Sequence, residues 1–198
     1  MDVQECINSR ISSRLYKSDP LPDEIIRDIL NAARYAPSPK NRQPWRFAVL
    51  TGDEKAVLVQ KCQDGLQNHV PRTKYLMDHE SASEIHTFHI IDKAPVLILV
   101  FNAFPSKQAL NSQNPHFDFL NQQAIGAAIQ NMLLRATELG IGTLWVGDIL
   151  SEAQFITERY FSTGELVAGI VLGFPDGLGH PVSRRLLSEL IVFSGGQR

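Results

Sequence analysis

The chain has 198 residues, of which 43% are hydrophobic and 20% charged, and its formal net charge is −2. These values are ordinary for a soluble globular protein, and the length fits one domain over residues 1–198. A chain this close to neutral gives no electrostatic reason to expect nucleic acid or an anionic membrane as its main partner, although an anion pocket remains compatible. The N-terminus lacks a signal-peptide pattern, and no apolar stretch reaches the roughly 20 residues that cross a bilayer, so we expect a cytoplasmic protein.

The first half of the chain predicts helices, a loop and one strand. Residues 2–9 form a short predicted helix. Pro20-Leu21-Pro22 then opens an amphipathic helix, with Pro22 suited to its first turn and with apolar positions at the spacing of one helix face: Ile25, Ile26, Ile29, Leu30 and Ala33. Prolines at 37 and 39 end this helix and make residues 38–44 a loop. A strand at residues 45–50 and a second amphipathic helix at residues 53–66 follow.

The second half contains three apolar segments that predict strands, at residues 94–101, 143–146 and 166–172. The first of them, APVLILVF, is apolar on both faces, which is typical of a central strand. Residues 67–92 are polar and mixed and give no definite secondary-structure prediction, and residues 103–115 predict a polar loop.

Two helices separate these strands. The helix at residues 117–139 ends at Gly140, and its middle is apolar nearly all round, which indicates burial in a core or against a second subunit. Ser151 and Gln154 have the spacing of a capping box for a helix that runs through Tyr160. Residues 175–198 predict a loop with two arginines and then a short apolar tail.

The cysteines and histidines offer little support for a metal or a catalytic thiol. Cys6 and Cys62 match neither a metal spacing nor a CxxC motif, which is typical of reduced structural thiols. His86 and His89 lie three apart, with His79 upstream, but no HExxH motif occurs. A solvated helix or lid is therefore favoured over a metal site there.

Four short segments could bind a ligand, and each also has a structural interpretation. RISSR at residues 10–14 carries two arginines and two serines, which suit a phosphate or simply a solvated helix end. The loop that runs from Ala36 to Trp45 is rich in amides and hydroxyls, which suit a heteroaromatic ring or a rigid turn. GIGTLWVG at residues 140–147 follows a helix and enters a strand, so it is not a dinucleotide fingerprint, but its glycines allow backbone to approach a ligand. Arg184-Arg185 could close a phosphate site or lie on the surface.

Taken in order, these segments resemble the nitroreductase-like family of FMN-dependent oxidoreductases. RxSxR, the helix opened by PLP and APSxxNxQPW are similar to the family's entry pattern. DKAPVLILVF, IGAAIQNMLLRATELGIGTLW, VAGIVLGFP and SRRLLSEL follow in the expected order. The similarity covers most of the chain except residues 62–90 and 103–116. The stretch from Asp78 into APVLILVF more weakly resembles the iodotyrosine deiodinase branch.

The resemblance implies an α+β fold of three layers, with a mainly antiparallel sheet flanked by helices. It also implies a homodimer with FMN at the subunit interface. Arg10 and Arg184 are then expected to hold the FMN phosphate, with Ser12 near the phosphate or the ribityl chain and Arg14 at the flavin N1 and O2 edge. A slip of one residue would place Arg185 in the role of Arg184. The tail after Leu187 is short, so a long arm around the partner is not expected.

Two further segments are implied to contact the flavin ring. The first is expected to approach from the partner subunit and consists of Pro37 and Ser38, with Asn41 and Gln43 nearby. The second is expected to meet N5 and O4 through its backbone and consists of Trp145, Val146 and Gly147.

The function that the resemblance implies is transfer of hydride from NADH or NADPH, through flavin N5, to a nitroaromatic, quinone or similar small acceptor by a ping-pong mechanism. No catalytic side chain and no metal is expected, because the cofactor carries the chemistry. Reductive dehalogenation, oxygen-dependent flavin chemistry and non-enzymatic flavin binding remain alternatives. The sequence indicates neither the physiological substrate nor the preferred nicotinamide.

Overall fold

The computed structural model describes residues 1–68, 86–105, 116–177, 179 and 182–192. The helices are α1 (Val3–Ser9), α2 (Asp23–Ala33), α3 (Gly52–Asn68), α4 (residues 86–93), α5 (His116–Glu138), α6 (Ala153–Tyr160) and α7 (Leu187–Leu190). The strands are β1 (Trp45–Thr51), β2 (Val96–Asn102), β3 (Gly142–Val146) and β4 (Glu165–Gly173). The histidine at 79, the predicted loop at 106–115 and the end of the apolar tail lie outside the described residues.

The four strands form one antiparallel sheet in the order β1-β2-β4-β3. All seven residues of β2 are buried, which confirms the central strand predicted from its apolar run. Side chains of a strand point alternately to the two faces of its sheet. Accordingly Val96, Ile98 and Val100 join one core cluster, and Leu97, Leu99 and Phe101 join the other.

Helices cover both faces of the sheet, so the fold has the three layers that the resemblance implied. The core on one face is formed with α2 and α5, and the core on the other with α3, α4 and α6. The predicted apolar face of α2 is largely correct, since Ile26, Ile29 and Ala33 are buried. In the middle of α5, Ile129 and Met132 are fully buried, as its all-round apolar pattern indicates.

Three details differ from the sequence prediction or add to it. Ser151 does not cap α6: a 3-10 turn at Asp148–Glu152 precedes that helix, and the Ser151 hydroxyl donates to the Asp148 carbonyl inside the turn at 2.9 Å. Pro22 is the N-cap residue of α2 and lies just before its first turn. Residues 86–93 form a helix in a segment without a definite prediction, where the histidine spacing leaves open a solvated helix or a lid. Lys55 holds the end of that helix, because its ammonium donates to the carbonyls of Ile91 and Asp92 at 2.8 and 2.7 Å.

None of the helices described here is both long and apolar enough to span a bilayer. Within the same residues, no cluster of three or more histidine, cysteine or acidic side chains has a geometry that could hold a metal. His86 and His89 are both exposed on α4.

Both cysteines are free and buried, and Cys62 gives a prediction about alkaline stability. Burial raises the pKa of the Cys62 thiol to about 12, with a smaller contribution from the charge of Glu152. An unfolded thiol has a pKa of about 8.5. Above that pH the unfolded chain releases a proton that the folded chain keeps, so the contribution of Cys62 to stability is present below about pH 8.5 and is lost toward about pH 12.

We therefore expect the free energy of unfolding to fall more steeply with rising alkaline pH in the wild type than in Cys62→Ala, by up to about 1.4 kcal/mol per pH unit. Urea unfolding of both proteins at several pH values above 8 measures this difference. Parallel pH dependences would show that the buried thiol does not couple to folding.

Candidate functional site

The segment that carries Arg10, Ser12 and Arg14 runs from the end of α1 along the edge strand β3. Ser12 forms a parallel bridge with Thr143, and the Ser13 amide donates to the Thr143 carbonyl at 2.8 Å. In extended chain, alternate side chains share one side. Arg10, Ser12 and Arg14 therefore point the same way, while Ser13 points inward and is buried. The R-x-S-x-R spacing thus has a structural reason, since it places two guanidiniums and a hydroxyl on one side.

That side opens into a cavity of about 500 Å³, which Arg184 also lines. The cavity brings together residues from α1, from the segment after it and from the region before α7. Its lining is Ile7, Asn8, Arg10, Ile11, Ser12, Arg14, Val182 and Arg184. Arg185, the neighbour of Arg184, is not among these residues. Two sequence motifs separated by most of the chain therefore meet at one site.

The cavity is strongly cationic for a chain with a net charge of −2. None of the carboxylates among the described residues forms an ion pair with Arg10, Arg14 or Arg184, whereas Arg135 and Arg159 pair with Asp28 and Glu54. Three guanidiniums without a carboxylate repel one another, and an anionic ligand would relieve that repulsion. The arrangement is suited to a phosphate group.

The loop at residues 37–43 folds into a 3-10 turn, Pro39–Asn41, held by its own side chains. Ser38 accepts a hydrogen bond from the Gln43 amide at 3.0 Å, and the Gln43 side chain donates to Asn41 at 3.3 Å. Asn41 and Gln43 have φ values of 55° and 48°, in the left-handed region that non-glycine residues rarely adopt. Such backbone strain concentrates at functional sites. Pro37 is exposed beside this turn, and none of these residues lines the cavity of the arginines.

Trp145, Val146 and Gly147 lie at the far end of β3 and also do not line that cavity. β3 runs between the arginine cavity and these three residues, because Thr143 forms the bridge to Ser12. A strand rises about 3.3 Å per residue, so Val146 lies about 10 Å along β3 from Thr143. Trp145 is 44% exposed, whereas Val146 is buried. The Gly147 carbonyl accepts from the Leu150 amide at 2.9 Å and so begins the 3-10 turn.

Sequence reasoning missed three residues of the cavity, Ile7, Asn8 and Val182, and one contact beside Gly147. Ile7 and Asn8 line the cavity from the last turn of α1, and their position next to Arg10 could have indicated this. The Thr87 hydroxyl on α4 donates to the Asp148 carboxylate at 2.5 Å, directly after Gly147. Nothing in the sequence indicated that contact, because the two residues are 61 positions apart.

A sequence model described as the nitroreductase family matches residues 7–174, from α1 to just beyond β4. The chain belongs to the nitroreductase family. The match includes RxSxR, the strained loop and the whole sheet, and it ends before Arg184. It confirms the resemblance on which the fold prediction depended.

Individual relatives agree with the family. A Bacillus subtilis protein provisionally named as an NAD(P)H nitroreductase is 29% identical over 178 residues, which cover 88% of this chain and 84% of the relative. A provisionally named nitroreductase from Desulfovibrio desulfuricans, solved in complex with FMN, is 30% identical, with a TM-score of 0.74 over 100% of this chain and 99% of the other. Iodotyrosine deiodinase 1 of Pongo abelii is 24% identical over 147 residues, 72% of this chain and 50% of that protein. The weaker resemblance to that branch is thus also present.

Proposed function

We propose that this nitroreductase family member binds FMN and uses it to pass electrons from NADH or NADPH to a small oxidised acceptor such as a nitroaromatic or a quinone. The observation that carries the proposal is the cavity in which Arg10, Arg14 and Arg184 converge. Relatives add support, because the Desulfovibrio structure contains FMN and the Bacillus protein carries an NAD(P)H nitroreductase name. We also infer that residues 1–198 form one domain. The two free thiols are compatible with a reducing, cytoplasmic location.

The cavity residues fit the phosphate end of FMN. Arg10 and Arg184 would bind phosphate oxygens through their planar guanidinium forks, and Ser12 would donate to the phosphate or the ribityl chain. The cavity volume of about 500 Å³ is within the range of small-molecule sites, roughly 300–1,000 Å³. The cavity thus offers both the charge and the space that a nucleotide tail needs.

Bound FMN would supply hydride transfer at N5, alternating between a nicotinamide donor and the acceptor in a ping-pong sequence. The role we assign to Arg14 is electrostatic: a permanent cation at the N1 and O2 edge favours negative charge there at any working pH. Trp145, Val146 and Gly147 would present backbone to the N5 and O4 edge. Pro37, Ser38, Asn41 and Gln43 would cover the ring from a second subunit.

Steady-state kinetics test the proposed reaction. We expect multiple turnovers of NADH or NADPH when a nitroaromatic or a quinone is supplied. The iodotyrosine deiodinase relative raises a second candidate, reductive dehalogenation. A flavoprotein whose flavin neither nicotinamide reduces, but whose flavin reacts with halogenated phenols or oxygen after chemical reduction with dithionite, would contradict our proposal in favour of that alternative. Bound FMN without multiple turnover on any acceptor would instead indicate a flavin-binding protein.

We further propose that two chains form a homodimer with FMN at their interface. Residues 182–192 are all exposed and carry large apolar side chains that one chain leaves in water: Val182, Leu186, Leu187, Leu190, Ile191 and Val192. Apolar surface of this kind indicates a protein interface. Arg184 lies in the same segment, so a partner subunit that packs against this segment would also fix the position of Arg184 in the cavity.

Introducing charge into this segment is expected to separate the subunits. Leu187→Glu combined with Leu190→Glu would put two carboxylates into the proposed interface, which disfavours association and weakens FMN retention. Sedimentation velocity and flavin content measure the two effects, and Val57→Glu, which charges an exposed apolar site on α3, is the control. A wild type that sediments as a monomer, or a double variant that stays dimeric, would contradict the proposed interface.

A further inference from the structure

The arginine segment crosses the end of the sheet at a place where two glycines face each other. Gly142 and Gly173 form the last pair of the β3–β4 ladder. Residues 12–17 pass over this end: Ser12 bridges to Thr143, and the Lys17 amide donates to the Phe174 carbonyl at 2.9 Å. Paired residues in a ladder point to the same face of the sheet, so the two missing side chains leave one continuous gap.

Ser13 and Tyr16 fill that gap so closely that a Cβ atom at either glycine would force a neighbouring atom to move. A Cβ atom at Gly142 would lie 2.7 Å from the Ser13 hydroxyl oxygen and 3.0 Å from its Cβ. A Cβ atom at Gly173 would lie 2.8 Å from the Tyr16 ring and 2.7 Å from the Pro95 ring. Neither glycine has a φ in the left-handed region, so what the site requires is the absence of a side chain.

Tyr16 also fixes the backbone of Ser13. Its hydroxyl donates to the Ser13 carbonyl at 2.8 Å, and only 8% of the residue is exposed. Burial raises the pKa of the Tyr16 hydroxyl well above its usual range, so the group stays a donor at working pH. Ser13 is thereby held through its amide by Thr143 and through its carbonyl by Tyr16, and its side chain occupies the space beside Gly142. Gly142, Gly173 and Tyr16 thus form a seat for Ser13.

We propose that Gly142, Gly173 and Tyr16 are positioning residues that set the direction of Arg14 and Ser12 toward the FMN phosphate and ring. This rests on the proposed function. Ser12 and Arg14 flank Ser13 in extended chain, so a displacement of Ser13 moves both of them. Rotation about χ1 would move the Ser13 hydroxyl away from an added methyl group, but the Ser13 Cβ, 3.0 Å from that methyl, moves only with its backbone, which is fixed at both ends.

Substitutions at the seat should change FMN affinity in holoprotein, measured as the dissociation constant from flavin fluorescence recovered on dilution. We expect Gly142→Ala to weaken FMN binding about tenfold or more, since a displaced Ser13 misdirects charged hydrogen bonds. Tyr16→Phe, which removes a neutral hydrogen bond, should weaken it about twofold to tenfold. Adding Ser13→Gly to Gly142→Ala relieves the crowding, so Gly142→Ala should cost less in that background than alone.

Two controls separate positioning from a general loss of stability. Gly164→Ala forces a methyl group against the Phe161 ring at the opposite end of β4 from Gly173, and Tyr160→Phe removes a hydroxyl that donates to Glu54 on the surface. We expect Gly164→Ala to lower the unfolding temperature and both controls to keep wild-type FMN affinity. If Gly142→Ala binds FMN like the wild type, or if Gly164→Ala weakens binding equally, the positioning role is wrong. A wild type that binds no FMN at all would instead overturn the proposed function.

Discussion

Arg10→Ala and Arg184→Ala are each expected to weaken FMN binding by about tenfold to 150-fold. Hydrogen bonds to charged groups contribute about 1.5–3 kcal/mol, and both guanidiniums line the same cavity without a carboxylate partner among the described residues. Because the arginines also repel each other in the empty cavity, apoprotein stability should change little or rise slightly. Fluorescence titration of each apoprotein with FMN measures the affinity, and thermal unfolding measures the stability.

Arg185→Ala is the matched control for this prediction. It removes the same charge one position later, and Arg185 does not line the cavity. Its effect should therefore stay within about threefold of the wild type, the size expected of a screened charge near a site. Wild-type affinity in both Arg10→Ala and Arg184→Ala would show that the phosphate lies elsewhere. A loss of FMN affinity confined to Arg185→Ala would assign the phosphate contact to Arg185 instead of Arg184.

The second large effect is expected in the central strand. Ile98 is fully buried on the face of β2 that packs against α5, and truncation to alanine would leave a cavity there. Such substitutions cost about 2–5 kcal/mol of the free energy of unfolding. Since the strand also aligns β4, and through it β3, we expect Ile98→Ala to lose FMN at a lower temperature as well. Urea unfolding monitored by circular dichroism measures the change.

Val49→Ala is a control on the neighbouring strand. Val49 pairs with Ile98 in the β1–β2 register but is 41% exposed on an edge strand. Its truncation should cost less than about 1 kcal/mol, because much of the side chain already contacts water. Equal losses in the two variants would contradict the assignment of Ile98 to the core between the sheet and α5.

Local sequence patterns predicted most of the fold, because buried faces of helices and strands require apolar residues at regular spacings. The run at residues 94–101 is apolar on both faces, and β2 is the central strand with both faces covered. The apolar residues of α2 recur every three or four positions and so lie on one face of the helix. The predicted cap of α6 is wrong, because the spacing of a capping box shows only which residues could form the capping hydrogen bonds. The Ser151 hydroxyl uses its bond within the preceding turn instead.

The sequence suggested several residues of the arginine cavity but not how the fold brings them together. R-x-S-x-R and Arg184-Arg185 could each bind an anion or simply lie on the surface, and only the folded chain brings Arg184 to Arg10. The residues that position these arginines have no recognisable sequence motif. Gly142 and Gly173 look like ordinary strand ends in the sequence, and the pairing that makes them a seat depends on the register between β3 and β4. The Thr87–Asp148 bond likewise depends on how α4 packs.

The absorbance spectrum of the purified protein, followed by identification of the flavin released on denaturation, tests the central claim most directly. We expect a yellow protein, or a colourless one that retains FMN after unbound FMN is removed, with FMN released in an amount equimolar with the chain. Protein that retains no flavin after incubation with excess FMN and removal of the unbound FMN, while its circular dichroism shows a folded α+β chain, would contradict a flavin site built on these arginines.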